Sequence, residues 1–103
     1  VLPKDAPPGH ACHTEVVFDG KHKWPHAWFV YSGVRFQATL DKCKTEDAAR
    51  RVARLLYLRC EQGDSQELVK AFRKELYQRI QTAYREVAAA LAPTGQAEDD
   101  EDE

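Results

Sequence analysis

Two alternating apolar runs, AWFVY at 27–31 and VRFQATL at 34–40, are separated only by Ser32 and Gly33. A two-residue loop ending in glycine predicts a tight β-hairpin, and it leaves one register. Tyr31 then faces Val34, Phe29 faces Phe36 and Ala27 faces Ala38 on one side, while Trp28 faces Gln37 and Val30 faces Arg35 on the other. The first set is apolar and reads as a core face. The second set, extended by Thr39, reads as half exposed. A slip of one residue would turn every apolar side chain to solvent, so the register is strongly specified.

The rest of the chain is arranged around this hairpin. Residues 1–13, with Pro3, Pro7 and Pro8, show no periodicity and read as an extended, Pro-rich arm. Thr14–Phe18 (TEVVF) reads as a first strand closed by Asp19-Gly20, and Lys21–His26 as a loop around Pro25. Asp41–Lys44 reads as a turn. Thr45 is the expected N-cap of a helix that Gly63 ends, with Ala49, Val52, Ala53, Leu56 and Cys60 on one stripe. Asp64–Glu67 reads as a capping box with Asp64 as cap. It opens a second helix that runs to about Leu91 and is stopped by Pro93 and Gly95. The fold class is therefore α+β: a three-stranded antiparallel sheet packed by one helix, followed by a long amphipathic helix. The boundaries are 1–13 for the arm, 14–63 for the sheet and first helix, 64–92 for the long helix and 93–103 for a tail.

With 103 residues, 43% of them hydrophobic, the chain can form one modest core. No apolar run approaches the ~18 residues of a membrane span. Six of the 17 acidic residues occupy 98–103, a block expected to be a solvated tail, which leaves 11 against 15 Lys plus Arg elsewhere. No segment carries the dense basic stripe of a phosphate-backbone binder. Cys12, Cys43 and Cys60 are odd in number and widely spaced, which favours a reducing, intracellular setting. The chain starts at Val1 and contains no Met, and it is expected to be a processed chain, an excised domain or the visible part of a longer one.

The order of three strands with Trp28 in the middle one, Gly33 in the turn, and Thr45-Glu46-Asp47-Ala48-Ala49-Arg50 at the helix start resembles the Apetala/ethylene-response-factor DNA-binding domain, in its divergent alveolate form. The likeness covers about residues 14–62. It implies a sheet that enters the DNA major groove, with Trp28, Arg35, Gln37 and Thr39 facing the groove. The family's sheet carries several basic residues, whereas this outer face carries Arg35 alone. Relatives recruited as structural proteins of organellar assemblies would tolerate that loss.

Candidate sites follow from these readings. The outer sheet face (Trp28, Val30, Arg35, Gln37, Thr39) is read as facing a partner or nucleic acid. Leu76, Ile80, Tyr84, Val87 and Leu91 form a helix face that a small sheet cannot cover, and it is read as partner-binding. Cys12, His13, His22 and His26 include one zinc-like spacing, His22-x₃-His26, without a matching second half, so solvent-exposed loop histidines are the simpler reading. No phosphate loop or nucleophile elbow is present, and no cofactor and no catalysis are expected. The resulting expectation is a non-catalytic accessory subunit of a multi-subunit, organellar (mitochondrial or plastid) assembly. Its partners are other protein subunits, with self-association or nucleic-acid contact as further outcomes. The alternative is a sequence-specific DNA-binding domain.

Overall fold

Ser32 and Gly33 both take positive φ, 50° and 79°, the backbone that a two-residue hairpin matching the right-handed strand twist requires. The structure, a computed structural model, describes residues 2–91. In it β1 (Val17–Asp19), β2 (His26–Tyr31) and β3 (Val34–Thr39) form an antiparallel sheet in the order β1-β2-β3. The pairs Tyr31/Val34, Phe29/Phe36, Ala27/Ala38, Trp28/Gln37 and Val30/Arg35 are those the alternation predicts. Inside the sheet, Phe29 stacks on Phe36 with ring centroids 5.4 Å apart.

The helix expected after Thr45 is Glu46–Glu61, numbered α3 because two short helices precede it: α1 (Cys12–Glu15) and α2 (Leu40–Cys43). Thr45 caps α3 by accepting the Ala48 N–H at 3.1 Å. Gly63, at φ 91°, closes it: its N–H reaches the Cys60 carbonyl and that of Asp64 the Arg59 carbonyl. Ala49, Val52, Ala53 and Leu56 are fully buried, and the small residues early in the helix allow close approach to the sheet. Tyr57 joins the aromatic cluster, 5.2 Å from Phe29 and 5.3 Å from Tyr31.

The long helix α4 spans Gln66–Leu91. Ser65 is its cap, accepting the Leu68 N–H at 3.2 Å, and not Asp64 as the capping-box pattern suggests. Asp64 is already used by the C-terminal motif of α3 and pairs with Arg59, which leaves Glu67 too early in the helix to reach back to the cap. Val69, Phe72, Leu76 and Ile80 seal the core against α3 and α2. Arg73 donates to the Gln37 carbonyl (2.9 Å), and the Tyr77 hydroxyl accepts the Thr39 N–H (3.2 Å), so α4 side chains occupy backbone groups of edge strand β3. Among the described residues no helix is long and apolar enough to cross a membrane.

Three elements differ from expectation, each for a tertiary or capping reason. The first half of TEVVF is not a strand. Cys12–Glu15 makes one helical turn, with the Cys12 N–H bonded to His10 Nδ1 and the Cys12 side chain fully buried where α1 meets α3. The expected turn at 41–44 is α2, capped by Thr39 accepting the Lys42 N–H, and it buries Cys43. His26 is not a loop residue but the first residue of β2, and it is buried. The acidic tail, Pro93 and Gly95 lie outside the described residues.

The arm is fastened along α3. Arg51 donates to the Leu2 and Pro3 carbonyls, Arg54 makes a two-pronged pair with Asp5 at 2.8 and 3.0 Å, and His10 meets Glu61 at 2.7 Å. The bonds from Arg54 hold the Asp5 carboxyl below its ordinary 3.8, against the opposing effect of burial. A depressed carboxylate stabilises the fold fully above its unfolded value and loses that contribution as pH falls through the folded value. About a third of Asp5 stays in solvent, 34% of its side chain, which screens the pair. Asp5→Asn should therefore lower stability by about 1 kcal/mol or less at pH 7 and make no difference near pH 2. Urea melts of both proteins at the two pH values test this; equal penalties at both would show that the pair does not hold the arm.

Candidate functional site

Among the described residues no helix covers the outer face of the sheet, because α3 takes the apolar face. The register places His26, Trp28 and Val30 of β2 beside Thr39, Gln37 and Arg35 of β3 on this face. Val30 and Arg35 are exposed, and Trp28, Gln37 and Thr39 are half-buried. The residues expected on one surface do lie on one surface.

Their chemistry is less open than the alternation suggests. The Arg35 guanidinium lies over Trp28, 4.1 Å from the ring centroid, and donates to His26 Nε2 at 2.8 Å. His26 Nδ1 in turn donates to the Trp24 carbonyl at 2.7 Å. In this pairing Nδ1 is the donating and Nε2 the accepting nitrogen of the ring. Arg35 is thus held on its own sheet, and the arm lies on α3. Next to this cluster, Trp24 projects from the β1–β2 connection with 66% of its surface in solvent. It forms one wall of an open groove of about 630 Å³, shared with Pro25, Gln37, Thr39, Leu40 and Lys42. Sequence reasoning places Trp24 in a plain loop. The usable signal is its setting in Lys-His-Lys-Trp-Pro, where the proline prevents the indole from continuing a strand.

The second expected surface is divided by the core. Leu76 and Ile80 are buried within the chain, under α3 and α2, and are not available to a partner. Tyr84, Val87 and Leu91 are 51%, 58% and 79% exposed. A shallow, almost wholly apolar groove runs from Leu2, Cys43 and Ile80 to Tyr84 and Val87. Lys44 approaches the Tyr84 ring at 5.9 Å.

The residues weighed for zinc are held apart. Cys12 is buried beneath the arm, His13 Nε2 bonds to the Ala6 and Pro7 carbonyls, and His22 and His26 stack edge-on at 5.0 Å at the other surface of the sheet. Among the described residues no group of three or more His, Cys, Asp or Glu is placed to hold a metal ion. Burial raises the thiols of Cys12 and Cys60 and pushes Cys43 up to about 12, so none is poised as a thiolate.

No family model, no curated protein sequence and no solved structure matches this chain. A three-stranded antiparallel sheet followed by helices is compatible with an Apetala-type fold, at that level of detail.

In a Trp24→Phe background, Arg35→Ala should expose Trp28, shift its emission to the red and lower stability by about 1 kcal/mol. Unchanged emission with unchanged stability would show that the guanidinium does not rest on the indole in solution.

Proposed function

We propose that the protein is a non-catalytic structural subunit of a larger assembly, whose partners are other protein subunits. The observation that carries this reading is the mismatch between α4 and the body it packs on. At ~1.5 Å per residue, the 26 residues of α4 span roughly 39 Å, in a molecule of 51 × 28 × 26 Å. Among the described residues full burial along this face ends at Ile80, yet Tyr84, Val87 and Leu91 continue the same apolar stripe with 51%, 58% and 79% of their surface exposed. A helix face of this kind is stable in water chiefly when something buries it. The organellar setting, mitochondrion or plastid, follows from the family resemblance alone.

The alternative, a sequence-specific DNA reader, would depend on Arg35 as its one basic group on the sheet. That guanidinium is engaged by Trp28 and His26, so it would have to leave both before reaching a base edge. Binding to duplexes should accordingly be weak and salt-sensitive. A specific affinity near ~10⁻⁸ M at physiological salt would favour the alternative.

The subunit reading is tested on the distal helix. Val87→Asp with Leu91→Asp should leave the isolated chain as stable as the parent, because neither residue is in the core, and should abolish its recovery with the endogenous assembly. In the isolated chain, amide exchange should be fast beyond about residue 81. A monodisperse monomer with slow exchange through Val87 would overturn the reading, as would a double variant that still assembles.

A further inference from the structure

We infer that the Trp24 groove at the end of the outer sheet face is a binding site for single-stranded nucleic acid, with one unpaired base stacked on the indole. This inference is independent of the subunit reading, which rests on α4 alone.

Three observations converge on the groove. First, Trp24 is a large aromatic group left 66% in solvent, on a main chain tied down from both sides. Pro25 limits its backbone, its backbone N–H donates to His22 Nδ1 at 2.9 Å, and its carbonyl accepts from His26. A fixed main chain keeps the indole at this end of the sheet, and stacking is tolerant of base identity because every base has a π-face. Second, the wall opposite Trp24 is the ribbon of Gln37 and Thr39, whose side chains point out of the sheet toward the groove. The Gln37 amide can both donate to and accept from a base or sugar.

Third, the surrounding charge is mostly positive. Lys42 lines the groove, and Lys23 lies 5.7 Å from the Trp24 ring centroid. Lys21 precedes it in the same connection, and the Arg35 guanidinium ends at His26 next to the groove. The acids nearby are Asp41, which also lines it, and Asp19, whose carboxylate already accepts the Lys21 and His22 N–H groups. Lys42 in the groove and Lys23 beside its exposed aromatic wall suit a backbone that carries a charge at each step and a flat group between. A duplex offers its charges but keeps its bases stacked inside, and it could not use Trp24.

The full chain is titrated with a fluorescein-labelled eight-nucleotide oligo(U) or oligo(dT), read by anisotropy, with the matching hairpin duplex and poly-glutamate as competitors. Saturable binding is expected, with quenching of Trp24 emission in a Trp28→Phe background. Trp24→Ala should weaken binding about tenfold. Lys23→Gln with Lys42→Gln should weaken it and lower the salt slope by about 0.7 for each phosphate no longer neutralised. Because Trp24 and both lysines are on the surface, circular dichroism should show these variants folded. Trp24→Phe should retain most of the affinity, which separates stacking from bulk. The inference is overturned by no binding at low salt, by equal binding of the Trp24→Ala variant, by a duplex that competes as well as the single strand, or by poly-glutamate that displaces the oligonucleotide at equal charge. The last outcome would assign the groove to an acidic protein segment.

Discussion

Burial of α3 on three sides is the constraint from which the other parts of the structure follow. Its buried set, Ala49, Val52, Ala53, Leu55, Leu56 and Cys60, is broader than the stripe of a helix lying on one surface. The sheet meets one side of it, α4 another, and the arm with α1 a third. A chain this small cannot build a second core, so each of these layers needs α3 to complete its own burial. Arg51, Arg54 and Glu61 stand on the remaining part of the helix, and they hold the arm through polar contacts rather than apolar ones.

With one helix used to cover one face of the sheet, the other face and both edges need different solutions. The edge of β3 is occupied by Arg73 and Tyr77 of α4, which bond to the Gln37 carbonyl and the Thr39 N–H. These bonds keep another strand from adding at that point. The β1 edge is only three residues long. The outer face is stabilised from within: Arg35, Trp28 and His26 satisfy one another, and the free surface shifts toward Trp24 at the end of the sheet. The same division explains α4. Its first half is committed to the core and to the edge of β3, and its second half projects beyond both.

Local patterns were legible in the sequence to the extent that they needed no distant partner. The hairpin register was readable because two-residue alternation and a Ser-Gly turn are properties of adjacent residues. The span of α3 was readable because Thr45 and Gly63 cap it without outside help. The candidate site was only partly legible. Trp28, Arg35, Gln37 and Thr39 share a face as the alternation requires, but nothing local indicates that Arg35 would lie on Trp28 and donate to His26. The role of Trp24 was not legible, because exposure of an indole depends on what the tertiary structure leaves uncovered.

What the sequence determined by itself was therefore the α+β class, the pairing of β2 with β3, and the presence of an apolar helical stripe longer than the sheet. These are periodicities, and period 2 or 3.6 is written in adjacent residues. Only the tertiary structure decided where that stripe stops being core, between Ile80 and Tyr84. It also made Cys12–Glu15 a helical turn and selected Ser65 over Asp64 as the cap. In the last two cases the conformation found is the one that lets a side chain fill or seal a site on α3. Cys12 beneath the arm and Asp64 paired with Arg59 both owe their conformations to neighbours supplied by that helix.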